Sequence, residues 1–248
     1  MQKIKDSVKK FLSYSPFGVY EIYRDKKNID KRITTQKREI EDYVKNNEIK
    51  KMQIGCGKNL LEGWLNTDLI DSDTVVYLDA GKSFPAETET FDFIYSEHLF
   101  EHLKVEQQIN MLNEGYRILK KGGIMRIAMP NLEFLYNIYS NPNTPVHKDY
   151  VNHYVSSSPY LKSVFESVQN KEEHYIYVIN NFFKAWGHQM IHDFSSIEKL
   201  ALQCNYKVVR RCKVGESEVS FLQNIEKHGN AIPERFNLLE TMVVEIIK

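Results

Sequence analysis

The chain has 248 residues, a length typical of one domain or of one domain with an embedded lobe. Its 33 Lys and Arg residues balance 33 Asp and Glu residues, so it lacks the net positive charge expected of a nucleic-acid partner. Hydrophobic residues make up 42% and aromatic residues 12%, which excludes collagen-like, fibrous and wholly disordered classes.

The first 50 residues differ in charge from the rest of the chain. They carry 13 basic and 8 acidic residues, a net charge of +5, and the remainder carries −5. The polar segment 33–50 predicts a solvent-exposed helix that leads into the core. The change of sign at Lys51 predicts an N-terminal helical extension over residues 1–50 and a main domain over residues 51–248.

Short strands and helical segments alternate after Lys51. Between the fourth and fifth strands, apolar residues from Val105 to Leu119 are spaced by three and four and predict a helix that ends at Gly122-Gly123. The alternation predicts an α/β fold whose mostly parallel sheet carries helices on both faces. The predicted strands are Lys51–Ile54, Trp64–Asp68, Thr74–Ala80, Phe91–Ser96, Ile124–Met129, Lys207–Val214 and Thr241–Ile247.

Residues 131–194 interrupt this alternation. They are dense in Tyr, Phe, Asn and His and show little regular period, which predicts a lid inserted after the fifth strand. After the lid, Ser195 and Glu198 predict a capping box that opens a helix ending at Cys204.

Cysteine usage and hydropathy indicate a cytoplasmic protein. Cys56, Cys204 and Cys212 stand far apart and match neither a disulfide framework nor a CxxC metal pattern, which predicts reduced thiols. No apolar run reaches about 18 residues, and the first residues lack the apolar segment of a signal peptide, so we expect neither a membrane span nor a secretory signal.

A glycine-rich loop follows the first predicted strand. Gly55–Gly57 stands at the carboxyl end of that strand, where open α/β sheets bind nucleotide-type ligands. Leu60 replaces the third glycine of a dinucleotide fingerprint, and no Gly-Lys-Ser/Thr follows, so pyrophosphate binding is disfavoured. Asp68 and Asp79 end the next two strands and predict an adenosine site, with ribose on Asp68 and adenine on Asp79. The alternative is that both aspartates only cap loops.

Four stretches, QIGCGKNLLEGWLNTD, YLDA, FDFIYSEHLFEHL and EGYRILKKGGIMRIAMP, resemble the class I S-adenosylmethionine-dependent methyltransferases. They look most similar to predicted methyltransferases of cell-surface polysaccharide (capsule and lipopolysaccharide) gene clusters, as do INNFFKAWGHQMIHDF and TMVVEIIK. The resemblance covers roughly residues 51–248. It implies a Rossmann-like sheet with an antiparallel last strand, S-adenosyl-L-methionine as cofactor and S-adenosyl-L-homocysteine as product.

The resemblance also implies a set of cofactor-binding residues. These are Gly55, Cys56 and Gly57 around the methionine part, Asp68 on the ribose, Asp79 and Ala80 beside adenine, and Ser96 and Glu97 beside the sulfonium. Asp68 lies only 13 positions after Gly55, which predicts a first helix of one or two turns. Lys121 stands where the family pattern has proline.

Histidines near the expected cleft are the candidate catalytic residues. Methyl transfer from a sulfonium is an in-line displacement, and a neutral hydroxyl acceptor also needs a base. His98, directly after the fourth strand, is the first candidate for that base, and His188 is the second. His102 is expected to shape the cleft. We interpret the other histidines as structural: His147, His153, His174 and His228.

Two further patterns have more than one interpretation. Glu97, His98, Glu101 and His102 are able to hold a divalent cation, and they resemble a Glu-x-x-Glu-His motif of some quinone-pathway methyltransferases. That motif has one residue fewer, and acidic helix N-termini are favourable without metal, so we assign no metal ligand. Six tyrosines fit either sugar stacking or lid core, and core is favoured: Tyr136, Tyr139, Tyr150, Tyr154, Tyr175 and Tyr177.

The expected function is methylation of an oxygen on a sugar, or on a small phosphorylated or phosphoramidate precursor, in capsule biosynthesis. That acceptor, a sugar nucleotide or a phosphorylated glycan precursor, comes from the resemblance alone. One alternative is a catalytically silent cofactor-binding subunit that acts through residues 1–50 and the lid. Another is a metal-dependent hydrolase built on Glu97 to His102. Neither the methylated atom nor the oligomeric state follows from the sequence.

Overall fold

The computed structural model describes residues 26–70, 72–158, 161, 164–165 and 174–248, with side chains from residue 32 onward. Within these ranges seven strands form one sheet in the order β3-β2-β1-β4-β5-β7-β6. Strand β7 runs antiparallel to both of its neighbours, and the other pairs are parallel. The predicted mostly parallel α/β sheet with an antiparallel last strand is therefore confirmed. The strands are β1 (Lys51–Ile54), β2 (Leu65–Asp68), β3 (Val76–Tyr77), β4 (Phe91–Glu97), β5 (Leu119–Pro130), β6 (Val208–Cys212) and β7 (Thr241–Ile247).

α-Helices and short 3₁₀ turns flank this sheet. None of the described helices combines the length and the apolar character needed to cross a bilayer. The 3₁₀ turns are Phe100–His102, Ser220–Leu222 and His228–Asn230. The α-helices are α1 (Lys26–Asn46), α2 (Val105–Ile118), α3 (Leu132–Ser140), α4 (Pro145–Ser157), α5 (His174–Lys184), α6 (Phe194–Gln203) and α7 (Glu234–Glu240).

Three parallel strands end level with one another. Ile54, the last residue of β1, pairs with Thr67 of β2 and with Ser96 of β4. The loops that follow these strands therefore emerge at one edge of the sheet, where ligands bind in open α/β folds.

The connection from β1 to β2 contains no helix in residues 55–64, so the prediction of a one- or two-turn helix is wrong. The side chain of Asn66 ties the loop instead: it accepts from the Leu61 amide at 2.9 Å and donates to the Trp64 carbonyl at 3.2 Å. The amides of Gly55 and Cys56 both donate to the Thr67 carbonyl, at 2.8 and 3.0 Å. These bonds hold the glycine loop directly against the end of β2.

The boundary between α2 and β5 differs from the prediction. Helix α2 ends at Ile118 because Leu119 takes an extended conformation, with φ −68° and ψ 139°. Gly122, at φ +75°, lies inside β5 rather than at a helix C-cap. Strand β5 is consequently twelve residues long and starts before the predicted Ile124.

The second half of α1 is part of the main core. Ile40 is 1% exposed and belongs to the same hydrophobic cluster as the strands and α2. The Tyr43 hydroxyl donates to the Gly63 carbonyl at 3.0 Å and accepts from the Lys51 amide at 3.1 Å. The expected solvent-exposed helix is thus buried along one face.

Helices α3, α4 and α5 form a second hydrophobic cluster above the carboxyl ends of the strands. The described part of residues 131–194, a segment expected to lack regular period, contains helices because caps start them: Asn131 caps α3, and Thr144 with Pro145 starts α4. Helix α7 contributes Phe236 to the cluster, although it lies outside residues 131–194. The buried members are Phe134, Leu135, Ile138, Tyr150, Val151, Tyr154, Leu161, Val178, Phe182, Ile191 and Phe236.

Helix α6 begins two residues earlier than predicted. Asp193 is its N-cap and accepts from the Ser196 amide at 2.8 Å, while the Ser196 hydroxyl accepts from the Asp193 amide at 3.2 Å. The capping box therefore joins Asp193 and Ser196, and the predicted pairing of Ser195 with Glu198 is wrong. A carboxylate at the N-cap stabilises the first turn by both capping and the helix dipole.

A buried arginine ties the long connection between β6 and β7 to the sheet. Arg126 on β5 is fully buried and donates to Glu226 at 2.6 Å and to Glu245 at 2.8 Å. It also donates to the carbonyl of Glu216 at 3.0 Å. Paired charges of this kind offset the cost of burying the guanidinium. The connection is thereby held so that residues 227 and 228 reach the end of β4.

Candidate active site

The glycine loop exposes its backbone at the edge of the sheet. Gly55 has φ +71°, and a Cβ there would lie 2.7 Å from Cδ2 of Leu99, so only glycine fits. Gly57 has φ +53°, and a Cβ there would meet nothing within 4 Å. Open space above Gly57 is what a ligand that approaches the main chain requires.

Asp68 lies beside this loop, and both predicted aspartates have partly exposed side chains. Asp68 accepts from the Gly57 amide at 2.9 Å and from the Ile70 amide at 3.1 Å. Asp79 accepts from the Gly81 amide at 2.9 Å. Each therefore caps a loop, and since a carboxylate has about four acceptor positions, each can also accept from a ligand.

Cys56, in the glycine loop, and Ala80, directly after Asp79, are both buried. Cys56 is 3% exposed, and burial, followed by the nearby charge of Asp68, raises the pKa of its thiol to about 12. The thiol stays neutral, so its backbone rather than its sulfur is offered to a ligand. The Ala80 carbonyl accepts from the Asn110 side chain at 3.1 Å, which fixes the turn after Asp79.

Ser96 and Glu97 end β4 with different surroundings. Ser96 is fully buried, and its hydroxyl has no hydrogen-bond partner among the described residues. Glu97 is 9% exposed and accepts from two backbone amides, Lys227 at 2.8 Å and His228 at 2.8 Å. Its carboxylate therefore holds the connection that precedes α7, a contact that no local spacing indicates.

His98 sits in a strained turn directly after β4. Its φ is +46°, a left-handed conformation that costs a non-glycine residue about 1 kcal/mol or more. Nδ1 lies 3.1 Å from Oε1 of Glu101, and Nε2 lies 3.3 Å from Oγ1 of Thr241. The ring also stacks on His228, with centroids 3.7 Å apart. The turn thus points the imidazole back into a polar cluster.

Charges around His98 and Glu101 shift both groups toward their ionised forms. Burial alone would lower the pKa of His98, but the hydrogen bond and charge of Glu101, with Glu240 and Glu97 beyond, raise it overall. Burial would raise the pKa of Glu101, but the hydrogen bond and charge of His98 lower it overall. The two side chains form a buried imidazole–carboxylate pair.

His102 and His188 meet on the other side of Glu101. Residues 100–102 form a 3₁₀ turn, so His98 and His102 do not share an α-helical face. His102 nevertheless places Nε2 3.9 Å from Oε1 of Glu101 and packs edge-on against His188, with centroids 4.8 Å apart. Burial lowers the pKa of His102 to about 4 and also lowers the pKa of His188. Nδ1 of His188 donates to the Phe182 carbonyl, 2.6 Å away.

Sequence reasoning missed a second set of residues that joins this cluster. Nε2 of His228 lies 3.3 Å from Oε1 of the buried Glu240. The hydroxyls of Tyr150 and Tyr154 donate to the other oxygen of Glu240, at 2.5 and 2.7 Å. The two tyrosines share α4, but His228 and Glu240 come from two other helical segments, so no spacing in the chain signals that the set meets.

The arrangement fits the cofactor that the resemblance implies. An open backbone at Gly57, partly exposed carboxylates on Asp68 and Asp79 and the unpartnered hydroxyl of Ser96 stand at or after the ends of four neighbouring strands. Carboxylates suit ribose hydroxyls and the adenine amine. An exposed main chain suits an amino-acid tail, and the described part of this edge shows no phosphate-binding helix N-terminus after β1.

The segment that carries these residues matches a known protein family. Residues 52–127 match a family described as "Methyltransferase domain". The matched segment runs from β1 into β5 and includes the glycine loop, both aspartates and the turn that carries His98. No curated protein sequence matches the chain.

Solved structures resemble the chain weakly. A SAM-dependent methyltransferase from Archaeoglobus fulgidus shares 17% identity, with 88% of this chain and 94% of that chain covered and a TM-score of 0.42. An S-adenosylmethionine-dependent methyltransferase from Mesorhizobium loti shares 12% identity, with 81% and 91% covered and a TM-score of 0.45. Phosphoethanolamine N-methyltransferase 2 from Haemonchus contortus, solved with S-adenosyl-L-methionine, shares 14% identity, with 86% and 51% covered and a TM-score of 0.38.

Proposed function

We propose that this protein, an S-adenosylmethionine-dependent methyltransferase by its domain at residues 52–127, methylates an oxygen atom of a small acceptor. We infer a sugar, or a small phosphorylated or phosphoramidate precursor of a surface polysaccharide, as that acceptor. The stretches around residues 179–194 and 241–248 support this choice because they resemble methyltransferases of capsule gene clusters. The acceptor would enter beneath the lid formed by α3, α4 and α5.

The ends of the first four strands supply the cofactor contacts. Asp68 would accept the ribose hydroxyls and Asp79 the adenine amine, while Gly55–Gly57 leaves its main chain open to the methionine portion. Ser96 and Glu97 would lie beside the sulfonium of the cofactor. The bound cofactor supplies an electrophilic methyl group on a sulfonium sulfur. Alignment of the acceptor with that sulfur then provides much of the rate enhancement.

The observation that carries the proposal is the pair formed by His98 and Glu101 at the end of β4. Because an ionised carboxylate only accepts, Glu101 accepts the Nδ1 proton of His98, so Nε2 is the nitrogen that would exchange a proton with an acceptor. A base oriented by a buried carboxylate is the arrangement that removes protons from hydroxyl groups in many enzymes. His98 is therefore the candidate base, with His102 and His188 beside the same carboxylate.

The Thr241 hydroxyl occupies the position next to Nε2 of His98 that an acceptor hydroxyl needs. Its Oγ1 lies 3.3 Å from Nε2 of His98 and donates to Oδ1 of Asn237 at 2.9 Å. An acceptor hydroxyl has to replace this contact to reach the base. Since Thr241 retains Asn237 as a partner, the exchange leaves no buried hydroxyl unsatisfied.

The experiment is a methylation assay that separates two kinds of acceptor. A neutral hydroxyl needs a base, whereas a carboxylate or phosphate oxygen is already ionised and needs only positioning. His98→Ala is expected to lower kcat by about 10² or more with hydroxyl acceptors and to change it little with ionised ones. Product masses measure methyl transfer, and His147→Ala, on the surface of the lid, is the matched control.

Two outcomes would contradict parts of this proposal. An unchanged kcat of His98→Ala with a hydroxyl acceptor would remove His98 as the base. Tight binding of S-adenosyl-L-homocysteine without methylation of any sugar, phosphate or phosphoramidate would instead support a silent cofactor-binding subunit.

A further inference from the structure

Glu101 has one carboxylate oxygen that its surroundings do not satisfy. Its side chain is 1% exposed, and Oε1 lies 3.1 Å from Nδ1 of His98. Oε2 is buried and accepts no hydrogen bond from any described residue. A buried ionised oxygen without a donor is costly, so such an atom calls for a cation or another partner.

Two imidazoles stand next to this carboxylate. Nε2 of His102 is 3.9 Å from Oε1 of Glu101. Glu101, His102 and His188 each offer one ligand atom, and these three atoms lie within 4.8 Å of one another. Because a carbonyl oxygen only accepts, the 2.6 Å contact to Phe182 places the proton of a neutral His188 on Nδ1. Nε2 of His188 then carries the lone pair, as in histidines that bind metal through one nitrogen and a backbone carbonyl through the other.

The backbone fixes the two parts of this cluster against each other. The amides of Gln189 and Met190 donate to the carbonyl of Glu101, at 2.7 and 3.2 Å. The Trp186 backbone also forms a hydrogen bond with the His102 imidazole. His188 is thus held beside Glu101 by main-chain contacts on both sides of it, which preorganises the three side chains.

We propose that Glu101, His102 and His188 bind one divalent transition-metal ion, with Zn²⁺ the best match to the donors. Two imidazoles and a carboxylate suit Zn²⁺ and its first-row neighbours, whereas Mg²⁺ and Ca²⁺ prefer oxygen ligands only. Zinc bonds of about 2.0–2.2 Å place ligand atoms about 3.3–3.5 Å apart, so side-chain movements of about 1 Å complete the shell.

The tertiary structure changes which residues form the metal site. The sequence grouped Glu97, His98, Glu101 and His102, but Glu97 is occupied by the amides of Lys227 and His228. Both ring nitrogens of His98 have protein partners. His188, which is distant in the chain, takes their place. Three protein ligands leave a fourth position for water or an acceptor oxygen.

The test is metal binding by the full-length protein after chelation and dialysis. Calorimetric titration with Zn²⁺ is expected to give one site per chain, with a Kd at or below about 1 μM. His188→Ala and Glu101→Gln are each expected to weaken this binding by at least about 10-fold. His147→Ala removes a histidine from another helix and is expected to leave the binding unchanged. Added Zn²⁺ is expected to raise the Tm of the wild type more than that of His188→Ala.

Folding of each variant is verified by its thermal transition without metal. If Glu101→Gln fails to fold, His188→Ala carries the test, because its side chain is only partly buried. Absence of a stoichiometric Zn²⁺ site, equal affinity in wild type and His188→Ala, or binding of Mg²⁺ in preference to Zn²⁺ would each overturn the proposal. No methyl donor is involved, so this result is independent of the methylation assay.

Discussion

The imidazole rings of His98 and His228 stack with centroids 3.7 Å apart and an interplanar angle of 27°. Each ring contacts a buried carboxylate through one nitrogen, Glu101 for His98 and Glu240 for His228. Tyr150 and Tyr154 of α4 donate to Glu240. Helix α4 is therefore linked by hydrogen bonds to His228 and, through the ring stack, to His98.

Tyr150 and Tyr154, which both donate to the buried carboxylate of Glu240, are expected to contribute to the stability of the fold. Tyr154→Phe removes one donor from a buried carboxylate, and we expect it to lower the free energy of unfolding by about 1–3 kcal/mol. Tyr136→Phe is the control, because Tyr136 is 66% exposed, and no change is expected. Urea unfolding of both variants measures the difference. Equal stability of the two variants would show that the Glu240 bonds contribute nothing net.

The aspartates at the ends of the second and third strands are expected to dominate cofactor affinity. Asp68→Ala removes an ionised acceptor from the ribose hydroxyls, so we expect binding of S-adenosyl-L-homocysteine to weaken by about 10²-fold, and Asp79→Ala to weaken it by about 10-fold. Calorimetry measures both. Asp73→Ala, at an exposed position between the same strands, is the control. Wild-type affinity in Asp68→Ala would mean that this aspartate only caps its loop.

A pair of glycine substitutions separates backbone strain from ligand contact. Gly57 and Gly122 have φ of +53° and +75°, and a Cβ at either would meet nothing within 4 Å. Changing either to alanine is expected to lower stability by about 1 kcal/mol, because both then adopt a left-handed conformation. Only Gly57→Ala is expected to weaken cofactor binding. Equal affinity in the two variants would place the methionine portion away from the loop.

The raised pKa of Cys56 predicts an inert thiol. With a pKa of about 12, the thiolate fraction at pH 8 is on the order of 10⁻⁴, and it rises only as the pH approaches that value. We expect no alkylation of Cys56 in the native protein at pH 8 and complete alkylation in denaturant, followed by peptide masses. Native labelling at the rate of a free thiol would contradict the burial and the charge effect of Asp68.

Local patterns in the chain predicted the core of the fold well. Alternating apolar residues located β1, β4 and β7 closely, because strand pairing in a covered sheet needs buried side chains at regular positions. Errors occurred at the ends of elements and in the connections. The Asn66 side chain ties a loop between β1 and β2 where a short helix was predicted. Leu119 begins β5 although the helical spacing of apolar residues extends to it.

The sequence by itself determined the α/β class, the glycine loop and the two aspartates at the strand ends, since each depends on residues close together in the chain. Only the tertiary structure decided that His188 meets Glu101 and that His228 stacks on His98. Those contacts depend on how helices and loops pack over the sheet edge. Packing joins segments that share no period or spacing, so the chain carries no local pattern that records it.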